Sequence, residues 1–374
     1  MSQLFAGAKD AEARQRSRQQ VAEDLQWIIE HFAKCADMTG RSSYKAMVTI
    51  FSQQCEVSDG KVVVKANTGG DCVQNPSDPV ATYDGHKGAG YQVQIAESCS
   101  PENEVQLITG ALPQTACEPD GASVVPMLDQ LEESELLPEA MLADTLYCGD
   151  ENVQAAETRG VELVGPIPGR ESESDPAALT IDDFAVDERT GHVDACPQGH
   201  VPLVVERDQE AGTTRIEMAP EVYGGCPFRN ACPINKTRDG RYTMEFSDKD
   251  HRLAGRRREQ ETPVFTERYA RRSGIESTNS GLKNRLGLKR LRVRGRGSVF
   301  RVILHKLAGW NVLRAAAKKM RAWVSVQVAQ TLKGGDSGPI EEFCAPLVRP
   351  SAGFQMVFRS CHGGPHGFTA SRAA

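Results

Sequence analysis

Between residues 90 and 168 strand-like and helix-like segments take turns, and that rhythm limits the fold class more than any other feature of this 374-residue chain. GYQVQIA (90–96) and EVQLITG (104–110) have strand character, and residues 122–137 suit a helix with Pro126 in its first turn. EAMLADT (139–145) is a short apolar strand that ends in an acid. Residues 151–159 make a compact helix stopped by Gly160, and VELVGPIP (161–168) is a strand closed by Gly and Pro. Two strands, a helix, a strand, a helix and a strand predict an α/β fold.

Around this core the pattern changes. Val21, Leu25, Ile28, Ile29 and Phe32 recur at helical spacing within residues 11–36, and a second helix is expected over 43–54. Residues 56–86 read as irregular, with KANTGGD and QNPSDP as turn clusters. Residues 169–265 are polar, rich in Asp, Glu, Gly and Pro, and hold three cysteines, as an insertion would. A basic helical stretch starts near residue 266, breaks at GLGLKRLRVRGRG and resumes over 299–332. The expected division is therefore 1–60 helical, 61–168 strand-and-helix core, 169–265 insertion subdomain, 266–332 basic helices, and 333–374 a disordered tail.

Bulk properties narrow the function classes. No run of eighteen apolar residues exists, so no membrane span is expected. The first residues lack the apolar stretch of a secretory signal, and 11 cysteines at irregular spacing argue against a disulfide scaffold. A cytoplasmic protein with reduced thiols is expected. The net charge of -6 conceals a strong division. Residues 1–250 carry 20 Lys and Arg against 43 Asp and Glu, whereas residues 251–323 carry 20 against 4. So basic a block suits a polyanion, though a solvated basic face is the plainer reading of charge alone.

The block coincides with a motif. In YARRSGIESTNSGLK, Tyr269, Arg272, Glu276 and Lys283 follow one another at intervals of three, four and seven. A continuous helix would bring them near a single stripe. A lone carboxylate among cations has a chemical use: it can hold a divalent cation while Arg and Lys grip phosphate oxygens. The plainer alternative is a solvated helix with an Arg–Glu pair four residues apart.

The spacing Y-x2-R-x3-E-x6-K resembles the signature around the catalytic glutamate of bacterial insertion-sequence transposases of the DDE type. The following RLGLKRLRVRGRGSVFRVILHKLAGWNVLRAA is also similar to that group, which has an Asn like Asn311 in its closing helix. Upstream, YDGHKGAGYQVQIAES resembles the strand after the family's first catalytic strand. LADTLYCGDENVQAAETRGVELVGP resembles its second-aspartate region. The resemblance, over about residues 15–320, implies an RNase H-like mixed sheet flanked by helices, with a Cys-containing insertion before the glutamate helix. It implies Asp144 and Glu276 as catalytic ligands of Mg²⁺, and Tyr269, Arg272, Lys283, Lys289, Arg290, Arg292 and Arg294 as the DNA-binding set.

Chemistry of this kind uses two cations clamped by three carboxylates. In the family the third lies on a first strand that precedes the segment resembling residues 11–54, so the resemblance implies a chain truncated at its N-terminus and an incomplete sheet and metal site. Asp10, Asp24 and Asp37 sit in helical or polar contexts. Asp84 is the remaining candidate, though Asp-Gly is also a common turn pair; His86 and Lys87 beside it can approach phosphate. Cys196, His200, Cys226 and Cys232 supply a ligand set for tetrahedral Zn²⁺, with C-x3-H and C-x5-C spacing and Tyr223 where the family often has another Cys; buried reduced thiols are the alternative. Cys148 is expected to pack rather than react.

The expected function is Mg²⁺-dependent cleavage and strand transfer of double-stranded DNA at transposon ends, on a nucleoid-associated homo-oligomer in a synaptic complex. The alternative is an inactive DNA-binding or regulatory fragment that partners or inhibits an intact transposase. An RNase H-like nuclease without strand joining shares the same carboxylates.

Overall fold

The computed structural model describes residues 11–66, 68–168, 178–187, 190–332 and 355–362. Contacts group the chain into two compact units. One combines Met1–Leu137 with Ser273–Ala374, and the other is Pro138–Arg272.

The first unit opens with helices α1 (Ala11–Phe32), α2 (Ala36–Thr39) and α3 (Ser42–Gln54). A hairpin follows, β1 (Cys55–Ser58) and β2 (Lys61–Val64). Its two-residue turn holds Asp59 and Gly60 at φ 52° and 74°, the left-handed geometry that matches strand twist. Ala22 of α1 packs on Cys55 and Val62, and Tyr44 donates its hydroxyl hydrogen to the Ile29 carbonyl at 2.7 Å.

The unit's sheet is built around β4 (Gly88–Ser98), which pairs antiparallel with β3 (Thr82–Asp84) and β5 (Ile108–Thr115). Alternation along β4 gives it two different faces. Val93 and Ile95 enter an apolar core. Gln92 and Gln94 are equally buried, but they join a polar network with Gln114, the Glu118 carbonyl and Asp120. Lys87 closes that network at 2.6 Å from Asp120. Helix α4 (Val124–Glu133) presents Val124, Met127, Leu128 and Leu131, all fully buried. Each contributes roughly 1.5–3 kcal/mol by burial.

The second unit starts with a parallel pair, β6 (Ala140–Ala143) and β7 (Glu162–Val164), linked through α5 (Asp150–Glu157). The segment expected to be a polar insertion has its own sheets. A hairpin joins β8 (Ala185–Val186) and β9 (Val193–Ala195). A four-stranded antiparallel sheet combines β10 (Val204–Asp208), β11 (Thr213–Met218), β12 (Asn235–Lys236) and β13 (Tyr242–Ser247), in the order β10-β11-β13-β12. Helix α6 (Pro220–Gly224) interrupts this series. Ile216, Met218, Met244 and Phe246 form the core of this part with Phe184, Val193, Tyr223 and Ile234. Helix α7 (Asp248–Gln260) begins at a capping box of Ser247 and Asp250, and α8 (Pro263–Ala270) has Thr262 as its N-cap.

The chain then returns to the first unit with α9 (Gly274–Asn284), α10 (Arg296–Leu332) and β14 (Gln355–His362). Val299, Ile303, Leu307 and Trp310 form the inner stripe of α10 and meet Val93, Ile95 and Leu282. Strand β14 runs antiparallel to β4, from Met356↔Ser98 to His362↔Gln92. This corrects the expectation that nothing beyond residue 332 is regular. Absence of long-range periodicity does not exclude one strand, and QMVFRSCH contains β-favouring Val and Phe. Residues 333–354 and 363–374 of that expected tail lie outside the described residues. Among the described residues no helix is long and apolar enough to cross a membrane.

Candidate functional site

Strand β6 is buried along its whole length, and Asp144 is the first residue beyond its carboxyl end. Its backbone turns there into a short 3₁₀ segment, Thr145–Tyr147, and Asp144 Oδ1 accepts the Thr145 N–H at 2.9 Å. The other oxygen, Oδ2, stays accessible, with Arg272 Nη1 at 3.7 Å. Arg272 lies over the Tyr269 ring, 5.4 Å from its centroid, and Tyr269 stacks on Phe265 at 5.6 Å. The Asp144 carboxylate, the Arg272 guanidinium and the Tyr269 phenol thus come together in the second unit. Burial pushes the Tyr269 phenol up from its ordinary pKa, so it remains a neutral hydrogen-bonding group at physiological pH.

The shell around this trio is tightly fixed. Cys148 is fully buried behind Asp144, and burial pushes its thiol up to about 12. It is a packing residue. A Cβ at Gly165 would fall 2.2 Å from the Ala143 carbonyl oxygen and 2.5 Å from Cys148 Sγ, so β7 can end beside β6 only with glycine there. Arg256 donates to the Cys148 carbonyl at 3.1 Å. Arg252 grips buried Asp150 at 3.2 and 2.7 Å, and Arg268 grips Glu162 at 2.8 and 2.6 Å. Paired guanidinium–carboxylate contacts of this kind fix orientation as well as distance. Sequence reasoning missed the Arg252–Asp150 and Arg268–Glu162 clamps, because nothing local marks partners 102 and 106 residues apart.

Glu276 and Lys283 lie on α9 in the first unit. The motif does not occupy one continuous helix, which corrects the single-stripe expectation. Tyr269 lies in the last turn of α8, Arg272 in a 3₁₀ turn spanning Arg271–Ser273, and Glu276 in the first turn of α9. Ser273 and Gly274 are weak helix formers, and they sit at the break.

The basic segment after α9 is a loop of turns and bends rather than a helix, with the Arg290 N–H bonded to the Gly287 carbonyl. Leu286, Leu288, Leu291 and Val293 pack into the first unit's core, while Lys289, Arg290, Arg292 and Arg294 are exposed. The loop therefore buries its apolar residues and leaves four cations exposed. Buried Asp78 anchors the loop's far end: Oδ2 accepts the Gly295 N–H at 3.0 Å and Oδ1 accepts the Tyr91 hydroxyl at 2.7 Å. Asp78 was not expected to matter, since residues 56–86 read only as irregular. Asn311 ties α10 to the start of β5, accepting from Ile108 N at 2.9 Å and donating to Ile108 O at 2.7 Å.

Asp84 lies in the β3–β4 turn, where its Oδ1 accepts the His86 and Lys87 N–H groups at 2.8 and 2.9 Å. The Lys87 backbone bond, first, holds its carboxyl below the ordinary range. Lys87 Nζ is committed to Asp120.

Residues 195–316 match the family model described as Transposase DDE domain. Over this segment the chain is similar to the DDE domain of transposases. The matched stretch includes Tyr269, Arg272, Glu276, Lys283 and the loop cations, and it ends within α10. No curated protein and no solved structure matches the chain.

A transposase of this type usually employs divalent metal, and the described residues gather no ready-made cage for it. Among them no group of three or more His, Cys, Asp or Glu side chains comes together to hold an ion. The same finding corrects the zinc expectation. Cys196, His200, Cys226 and Cys232 line one cavity of about 20 Å³, but Met218, Val222, Phe228 and Ile234 line it too. Tyr223 directs its hydroxyl to the Arg229 and Ile234 carbonyls, at 3.2 and 2.9 Å. Burial raises the Cys232 pKa, so that thiol stays protonated in an apolar setting.

Proposed function

We propose that this DDE-type transposase cleaves and rejoins double-stranded DNA at the ends of a mobile element, as a homo-oligomer in a synaptic complex on the nucleoid in the cytoplasm. The observation that carries the proposal is the Asp144–Arg272–Tyr269 cluster at the open end of β6, within a chain matched to the transposase domain. The order β4, β5, α4, β6, α5, β7 supports the reading of an RNase H-like fold incomplete at its first strand, in which a strand-end carboxylate would serve phosphodiester chemistry.

In this reading Arg272 holds non-bridging phosphate oxygens, and Tyr269 buttresses the guanidinium while offering a neutral hydroxyl. Lys283 and the exposed Lys289, Arg290, Arg292 and Arg294 bind the flanking backbone. Asp144, from its resemblance to the family's second-aspartate region, and Glu276, from the motif spacing, are the carboxylates this reading assigns to Mg²⁺. Asp84 is the residual candidate for a third.

The test uses purified full-length chain, Mg²⁺ and labelled duplexes made from the DNA that flanks the gene on either side. Wild type is expected to nick these duplexes. Asp144→Asn and Glu276→Gln are each expected to lose at least about a thousandfold in rate, with DNA affinity retained within about threefold. Equal cleavage by the wild type and both variants sinks the assignment.

The lack of a three-ligand group among the described residues favours a second reading, a DNA-binding regulator that inhibits or partners an intact transposase. Wild-type chain that binds element ends, never cuts them and suppresses an intact copy would establish it.

A further inference from the structure

A wide groove of the first unit lies away from every residue assigned above. Its volume is about 740 Å³, and its walls come from the turn before β5, the end of α9 and the middle of α10. Arg285, Arg314, Lys318 and Arg321 line it, with Glu104 as the single carboxylate in the lining. On α10 the three cations follow at intervals of four and three, within about 60° of one helical face and over about 10 Å of its length. Glu276 occupies the first turn of α9, whereas Arg285 caps its opposite end.

Two features beyond charge suggest a ligand. Trp310 lines the groove at 8% exposure, and its indole Nε1 is buried with no hydrogen-bond partner. A buried indole N–H without an acceptor is costly, and an incoming anionic oxygen would satisfy it. Ala316 and Ala317 also line the groove and leave room along the helix for close approach by a backbone. Arg314 is held in place by Glu97 at 2.8 Å and by the Trp310 ring, so one cation is already oriented.

We propose that this groove is a second docking track for double-stranded DNA, gripping the phosphodiester backbone through Arg285, Lys318 and Arg321 around the Trp310–Arg314 pair. The inference rests on the DNA transaction proposed above and extends it to a face distinct from the Glu276 end of α9. Duplex is favoured over a single strand by the absence of a stacking platform in the lining. Single-strand grooves stack bases on aromatic faces. Here the one aromatic in the lining is buried, with its ring so close to Gly281 that a Cβ there would fall 2.1 Å from Cη2.

The test is fluorescence anisotropy of the full chain with a labelled 30-base-pair duplex and with one of its strands, over a salt series. Three charge reversals in the groove, R285E, K318E and R321E together, are compared with R14E, R16E and R18E on α1, whose side chains are exposed. The groove variant is expected to bind duplex at least tenfold more weakly than wild type. Its log-affinity against log-salt slope is expected to shrink by about 2.7, at about 0.9 for each phosphate no longer neutralised. The α1 variant is expected to stay within threefold. A neutral set, R285Q, K318Q and R321Q, checked for wild-type circular dichroism, is expected to lose an intermediate amount, which guards against a misfolded reversal.

Groove and α1 variants that bind duplex alike would overturn the proposal. So would a groove variant that loses only single-strand binding, or a folded neutral set with wild-type affinity. A wild-type chain that binds no DNA sinks the proposed function itself. Wild-type binding with the groove reversals harmless sinks the groove alone.

Discussion

Arg272 faces Asp144 at 3.7 Å with its side chain 15% exposed, and its guanidinium plane lies over Tyr269. Charge alone would be met by lysine, but the planar stack would not. Arg272→Lys is therefore expected to weaken duplex binding by about three- to tenfold, the worth of roughly 1 kcal/mol of stacking. Wild-type affinity in an anisotropy titration would show that the stack is idle. Cys148 gives a prediction with a definite pH sign. Its folded-state pKa, about 12, stands above the ordinary thiol value of 9.0 because of burial. The thiol's contribution to stability is thus complete below pH 9 and declines as pH rises toward 12, since only the unfolded chain ionises there. The stability difference between wild type and Cys148→Ala is expected to shrink between pH 8 and pH 10.5 in denaturant titrations; a constant difference would contradict it. The sequence made Asp144, Arg272 and Tyr269 legible because a strand end and a spacing motif mark them. Asp78 was hidden, because its partner Gly295 lies 217 residues away and pairing across that span leaves no local trace.

Helix α9 holds two glycines whose replacement should act in opposite directions. At Gly274 a Cβ would meet nothing within 4 Å, and φ is in the ordinary range. Gly274→Ala should therefore raise stability by about 0.4–1 kcal/mol through a less flexible unfolded chain. At Gly281 the Cβ would fall 2.1 Å from Trp310 Cη2, inside a fully packed face with Ile275, Thr278 and Leu282. Gly281→Ala should cost about 1–3 kcal/mol as Trp310 is forced aside. Denaturant midpoints that move the same way for both variants would refute this pair. At the element scale the sequence was a good guide to α1, α3, β4 and α5, where apolar period and stop signals agree. It was poorer at the α8–α9 join. There the motif's spacing fits a continuous helix, and the break at Arg271–Ser273 depends on weak local propensity. It marked residues 169–265 as an insertion subdomain but assigned no elements there, although the described part forms an antiparallel sheet with its own core of short, widely separated strands. Strands of two to six residues between polar turns give too little alternation to stand out.

Across the whole chain, charge is separated along the sequence: 20 Lys and Arg and only 4 Asp and Glu fall within residues 251–323. Part of that excess serves structure, since Arg252, Arg256, Arg258 and Arg268 are committed to carboxylates or carbonyls of the second unit. Counting the block as one DNA footprint would therefore overestimate its reach. Lys289, Arg290, Arg292 and Arg294 are exposed on a loop of turns whose leucines and valine hold it against the core. If these four each neutralise one phosphate, duplex affinity should fall about a hundredfold between 50 and 200 mM salt through them alone, at about 0.9 in log–log slope per phosphate. Replacing all four by alanine should flatten the slope by about 3.6 and leave the fold intact, because their side chains point to solvent and Leu288 and Val293 keep the packing. Asp78→Asn tests the same point from the buried side, by weakening the anchor without removing a cation. It should reduce affinity while leaving the slope nearly unchanged, since the same phosphates are met by a looser loop. An Asp78 variant whose slope collapses like that of the alanine set would mean that the loop's cations reach DNA only when rigidly held.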